Sequence, residues 1–410
     1  MKRYIFLFVC LVAAMTVNAQ KQFRIWQNGE STRLTIADNP TIVYSADSGE
    51  PALVIGDATF PISTIDSICV VHQVLIQYSD TSAVISIPAA VAADITVERN
   101  KGHVTVTNTN VANEIEFVLS GSSTDGSFTY VGSYKTTVIL NGVSLTSQQG
   151  AAIDIQCGKR IGLMLMPGTT NSFEDSALGE QKACFYCKGH MEVEGSGTLN
   201  VTGNLTHAIK VKEYLQFKKS TGIINIVKSA GDAIHVGQYY QQNGGTINIT
   251  STTLNDGIQV EFLTLDDDVT LDPDKEFNGQ AIIKGGTIKA EITHQDQKGI
   301  KADSDITISG GTFDITASGN GSRGIQTDGN MVIGAEDNST SITVVAAGAQ
   351  CTDPEHEDDP HRCMGIKVDG NLTVNAGTTI VRNTGKKSRG IKVGGIYKKN
   401  GGTVTANITN

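Results

Sequence analysis

Charged residues recur in this chain at a spacing that would stack them. Seven copies of one phrase, a Gly or Ala followed by Ile and a polar residue, begin at Ala208, Ala233, Gly257, Gly299, Gly324, Gly365 and Gly390. Successive copies lie 25, 24, 42, 25, 41 and 25 residues apart. Aligning them makes columns. Three residues after the Ile stand Lys212, Gly237, Glu261, Asp303, Asp328, Asp369 and Gly394; just before the small residue stand His207, Asp232, Asp256, Lys298, Arg323, Met364 and Arg389. Carboxylates stacked about 5 Å apart repel by roughly 1 kcal/mol in bulk water and by several at a protein-like effective dielectric. Calcium, which takes hard oxygen ligands, relieves such a clash. The pairs Asp232 with Asp256 and Asp303 with Asp328 are therefore the candidate calcium ligands. The alternative is a solvated turn whose Asp side chains cap backbone amides.

The polar residue after the Ile is Lys210, Lys301, Lys367 or Lys392 in four of the copies. A row of lysines would meet acidic sugars. A β-eliminating lyase also needs a Lys or Arg base beside calcium-bridged uronates, but the columns hold no odd-one-out base, and no catalytic residue is assigned. Tyr214 and Tyr239 occupy one column of adjacent repeats at places predicted to point outward, where rings could stack on sugar faces; the alternative is an aromatic ladder shielding a turn. No Ser/His/Asp order, phosphate-binding loop or dinucleotide fingerprint stands in a strand-to-helix context. Paired carboxylates for glycoside hydrolysis would be hidden among the Asp columns.

The elements that must position these columns are strands. Gly-Gly-Thr recurs at 244–246, 285–287, 310–312 and 401–403, and the segments between alternate apolar and polar, as in Asp305-Ile306-Thr307-Ile308. Period-two alternation bounded by Gly pairs marks strands and turns. Two or three short strands per repeat of about 25 residues predict an all-β fold, a right-handed parallel β-helix, in which each unit buries its apolar face against its neighbours. The small residue before each Ile is expected to let the backbone turn tightly. The two long intervals read as one repeat plus an insertion.

Lys2 and Arg3, an apolar run from Tyr4 to Ala14 and Val17-Asn18-Ala19 read as a secretory signal over residues 1–19. The mature protein is expected to be exported, to the surface, the medium or the periplasm; no later stretch is long and apolar enough to span a bilayer. A net charge of −10 argues against nucleic acid and against an anionic membrane surface. Residues 20–72, which hold the only tryptophan, Trp26, resemble the small β module at the start of many exported Bacteroidetes proteins. Residues 73–150 read as the start and cap of the solenoid, and 151–410 as regular coils.

Cys351 and Cys363 flank an acidic insertion, which is read as a mobile solvated loop; export favours a disulfide between them. Laying Ile155-Gln156-Cys157 on Phe185-Tyr186-Cys187 places Cys157 and Cys187 inward, so the Cys184–Cys187 pair reads as buried thiols instead of a redox or zinc motif.

Val138-Ile139-Leu140-Asn141-Gly142-Val143, Gly158-Lys159-Arg160-Ile161, Pro167-Gly168-Thr169-Thr170-Asn171 and Gly195-Ser196-Gly197-Thr198-Leu199-Asn200-Val201-Thr202-Gly203-Asn204, with the later coils, resemble the secreted carbohydrate-binding β-helix family typified by a clostridial cellulose- and polygalacturonate-binding protein. The resemblance covers about residues 80–410. It implies a pectate-lyase-like β-helix, bound calcium and plant cell-wall polysaccharide as ligand, without demonstrated cleavage. The family's paired Asp-Asp-Gly turn survives only as Asn255-Asp256-Gly257 and Gly231-Asp232-Ala233. The function expected is non-catalytic polysaccharide binding. A calcium-dependent lyase, or a structural surface solenoid without a sugar ligand, is the alternative.

Overall fold

The computed structural model describes residues 21–409 apart from 28–29, 36–40, 46–49, 251–252, 264–276, 336–339 and 354–355. Residues 1–19, read from the sequence as a secretory signal, lie outside the described residues. Among those described, no helix is long and apolar enough to cross a membrane.

Regular structure is almost entirely strand, and the strands stack in parallel. One coil comprises Ala183–Cys187, Met191–Glu194 and Thr198–Gly203; the next comprises His207–Val211, Leu215–Phe217 and Ile223–Ser229. Each strand pairs in parallel with its counterpart one coil on, Phe185 with Ile209, Met191 with Leu215 and Leu199 with Ile224. The pattern continues to Arg389–Val393, Tyr397–Lys399 and Thr403–Thr405. The chain thus winds through three stacks in turn, making a parallel β solenoid.

Hydrophobic burial sets this register. Ile209, Ile234, Ile258, Ile300, Ile325, Ile366 and Ile391 pair in succession, and all are buried in one continuous core. Each buried Ile contributes about 1.5–3 kcal/mol relative to exposure. Because side-chain direction alternates with period two, a one-residue slip would turn the whole row outward.

The small residue before each Ile has a different cause from the one expected. Gly257, Gly299, Gly324, Gly365 and Gly390 are not among the glycines of positive φ. A Cβ on Gly324 would sit 2.2 Å from Val344 Cγ1, and one on Gly365 would sit 2.0 Å from Val381 Cγ1. At these two positions side chains from another stack fill the space, and at Gly257, Gly299 and Gly390 a neighbouring backbone carbonyl does, so packing, and not turn geometry, selects glycine there.

The two insertions leave from different corners. One separates Ile258–Val260 from Ala281–Ile283. The other separates Thr340–Ala346 from Met364–Val368 and contains an antiparallel hairpin, Cys351–Asp353 with His356–His361, where a loop was expected. The Cys351–Cys363 cross-link is not formed: both residues are thiols. Cys363 is buried against Ala317 and Ala346 and donates to the Ala317 carbonyl at 3.4 Å. Cys157, Cys184 and Cys187 are buried, but Cys187 stacks on Ile155 instead of Cys157. That shift is two residues, so both thiols keep their inward direction.

Ile65–Ser79 runs across residue 72. It pairs antiparallel with Lys21–Gln27 and in parallel with Ile115–Ser123 of the solenoid. Lys21–Gln27 also pairs with Glu30–Thr35, and the hairpin is fastened by ions: Arg24 Nη1 lies 2.6 Å from Glu114, and Arg33 Nε lies 3.0 Å from the fully buried Glu116. A separate antiparallel sheet holds Ile42–Ser45, Ala52–Ile55 and Ala58–Pro61. At the start of the first stack, Ile95–Asn100 lies antiparallel on Gly102–Asn108 and covers its edge.

Candidate functional site

The outward residues of the first stack form one row in register: Tyr186, Lys210, His235, Gln259, Lys301, Gln326, Lys367 and Lys392. All four sequence-predicted lysines lie in it, successive ones three, two and one coils apart, at about 4.8 Å per coil. They are half-buried, whereas His235, Gln259 and Gln326 are buried. The row is a flat polar strip fixed by a continuous hydrogen-bonded sheet.

Neighbouring carboxylates neutralise much of the lysine charge. Lys301 Nζ lies 3.1 Å from Asp303, and Lys367 Nζ lies 2.8 Å from Asp369. Burial opposes the Lys301 ammonium, yet the hydrogen bond to Asp303 and the charges of Asp303, Asp328 and Asp256 outweigh it and raise its pKa. Lys210 goes the other way: burial lowers its pKa, against the pull of Glu261 and Asp232. Beside the row, Arg323 Nη1 lies 2.8 Å from Asp296, which His361 Nδ1 approaches to 3.2 Å.

The four candidate metal ligands separate into two kinds. Asp303 is half-buried and Asp328 exposed, in adjacent coils; Asp303 Oδ2 accepts the Phe262 amide at 3.3 Å, and Asp328 accepts Gln326 Nε2 at 3.2 Å. Both offer carboxylate oxygens, the ligand type that calcium takes, and Asp303 is paired with Lys301 Nζ. Asp232 and Asp256 are buried and act as clips between coils. Asp232 Oδ1 accepts the Asp256 amide at 3.1 Å, and Asp256 Oδ1 accepts the Lys298 amide at 2.8 Å. Burial pushes the Asp256 carboxyl up to about 6.

Asp232 does not fit calcium, because its second oxygen faces nitrogen. His235 Nδ1 lies 2.8 Å and His207 Nδ1 3.2 Å from Asp232 Oδ2. The two imidazole centroids are 4.4 Å apart, and Glu261 Oε2 lies 3.3 Å from His235 Nε2. Burial opposes the Asp232 charge, but the two imidazoles beside it hold its pKa well below the usual carboxylate range. Among the described residues, His207, Asp232 and His235 are the group of three whose ligand atoms lie within 4.8 Å of one another. Sequence reasoning missed the histidines. The signal was there: His207 and Asp232 share one column, and Asp232 and His235 are three apart within one phrase.

Tyr214 and Tyr239 do not face solvent as expected. Both are buried, and their rings stack at 4.8 Å and 18°. Tyr214 donates to Glu192 at 3.0 Å and meets the edge of His190, while Tyr239 meets Phe277. They form an aromatic ladder at a turn and offer no open face.

A family profile described as carbohydrate-binding domain-containing protein matches residues 100–410. A carbohydrate-binding domain-containing protein of Acetivibrio thermocellus is 27% identical over 103 residues, covering 23% of this chain and 36% of that protein. The match therefore spans about a third of that relative's length. The solved structure of a polysaccharide lyase-like protein from C. thermocellum, a gadolinium derivative, superposes with a TM-score of 0.51 at 19% identity, covering 64% of this chain and 97% of that one. At that identity the likeness concerns fold alone.

Proposed function

Because the chain belongs to the family of carbohydrate-binding domain-containing proteins, we propose that it is an exported, non-catalytic protein that holds an extended acidic polysaccharide along the polar strip of the first stack. One observation carries this reading: Lys210, Lys301, Lys367 and Lys392 stand in a single in-register row on a parallel sheet. A row of that kind offers cations at fixed, repeated heights, which suits a polymer of repeated uronate carboxylates. The sheet is preformed, so little ordering entropy opposes binding. The coil is right-handed in this reading, the hand that crossovers between parallel strands take in nearly all cases.

The overall charge of −10 repels a polyanion, and calcium answers this. Asp303 and Asp328 would hold it, and it would supply positive charge between protein and uronate carboxylates. Tyr214 and Tyr239 take no part. The test is binding of polygalacturonate to the full mature chain with calcium and with chelator. Saturable, calcium-strengthened binding without unsaturated products is expected. Accumulation of unsaturated uronides, read by their ultraviolet absorbance, would replace this reading with a lyase. No binding to any acidic glycan would leave a structural solenoid.

A further inference from the structure

We infer that His207, Asp232 and His235 form a binding site for a divalent transition-metal ion of the zinc type, distinct from calcium. The inference does not rest on the glycan reading.

The hydrogen bonding around the two imidazoles does not close without a cation. His207 Nδ1 accepts the Asp232 amide at 3.0 Å, so that nitrogen carries a lone pair and no proton. The same nitrogen lies 3.2 Å from Asp232 Oδ2, which is also a lone-pair atom. Two acceptors then face each other with no hydrogen between them. His235 has a matching shortfall: Nδ1 meets Asp232 Oδ2 at 2.8 Å and Nε2 meets Glu261 Oε2 at 3.3 Å. A neutral imidazole has one N–H for these two carboxylates. Either protons or a metal ion must complete the set.

The geometry suits a metal. A tetrahedral cation with bonds of about 2.0–2.1 Å needs ligand atoms about 3.3 Å apart. The His–Asp separations of 2.8 and 3.2 Å need only small adjustment, with the His207 Nδ1 lone pair turning from the Asp232 amide to the ion. With Nδ1 of His235 on the ion, its Nε2–H is released to Glu261, the carboxylate–histidine–metal arrangement that orients such ligands. Asp232 Oδ1 is fixed by the Asp256 amide, which aims Oδ2 inward. Two imidazoles and one carboxylate favour zinc, cobalt, nickel or copper over calcium, which selects oxygen. Three protein ligands leave a fourth position for water.

Cobalt(II) is the probe, titrated into the full mature chain with calcium present in excess. One equivalent should bind with the visible absorption of four-coordinate cobalt in nitrogen and oxygen ligands. Zinc should displace it and calcium should not, and binding should weaken at about pH 5.5, where protons compete for the same nitrogens. His207→Gln and His235→Gln, checked for unchanged far-ultraviolet circular dichroism, should each weaken cobalt binding at least tenfold. In the unaltered protein, cobalt should shift the imidazole proton resonances of His207 and His235 and spare those of His103, His190 and His361. The proposal is overturned if no saturable 1:1 binding occurs, if the shifted resonances belong to other histidines, or if both folded variants bind as the unaltered chain does.

Discussion

Asp232 and Asp256 are joined across one coil by a hydrogen bond from the Asp256 amide to Asp232 Oδ1, 3.1 Å long. A column that reads as stacked negative charge is therefore also a chain of backbone clips, since Asp256 repeats the contact with the Lys298 amide. Burial opposes the charge of both carboxylates, but their pKa values move in opposite directions. Imidazoles hold Asp232 ionised, whereas Asp256 is pushed up to about 6.

That rise gives a signed pH dependence. An unfolded Asp titrates near about 3.9, so the folded state binds more protons between there and about 6. Stability from this group is complete below the unfolded value and is lost as pH rises through the folded one. Asp256→Asn keeps the oxygen that accepts the Lys298 amide and removes the charge. It should raise unfolding free energy near neutral pH by up to about 3 kcal/mol and change little at about pH 4. Urea unfolding at both pH values checks this; an equal effect at the two would count against it.

Replacing Lys301 and Lys367 with Ala should weaken polygalacturonate binding by about tenfold, the loss expected from two partly exposed charge contacts. Melting should change little, because exposed ion pairs such as Lys367–Asp369 contribute about 0–1 kcal/mol. Isothermal titration and a thermal melt separate the two effects. A large drop in melting temperature with intact binding would remove the strip from the glycan site.

The Tyr214–Tyr239 ladder predicts the opposite pattern. Tyr214→Ala should cost about 3–5 kcal/mol by leaving a cavity in a buried stack. Tyr214→Phe loses only the hydrogen bond to Glu192, worth about 1–3 kcal/mol. Denaturant melts of both variants provide the measurement. A Tyr214→Ala protein of unchanged stability that fails to bind glycan would restore the ring as a sugar platform.

Gly365→Ala should destabilise by about 1–3 kcal/mol, the ordinary cost of overpacking, because its methyl would meet Val381 Cγ1. Adding Val381→Ala should recover part of the loss. If turn geometry were the reason for glycine, the second substitution would rescue nothing, and paired melts distinguish the cases.

Much of the solenoid was legible in the sequence. Ile209 to Ile391 recur once per repeat, and period-two alternation allows each to face only inward or outward. That parity determines the buried Ile row, and with it the outward row of Lys210, Lys301, Lys367 and Lys392. It also explains why misplacing Cys187 by two residues did not change its inward direction. Resemblance to a carbohydrate-binding family was legible in the ordered motifs between Val138 and Asn204. Parity says nothing about what covers an outward residue. Tyr214 points to a turn where His190 and Tyr239 close over it, and only the lateral packing of one corner on the next decided that. The same holds for Gly365, whose small size answers Val381 from a different stack. It holds most strongly for His207, Asp232 and His235, which belong to two columns of the repeat. Their meeting depends on the stagger between successive coils and on the direction of the carboxylate held by the Asp256 amide. Those are properties of the folded corner, where residues far apart in sequence compete for the same few ångströms.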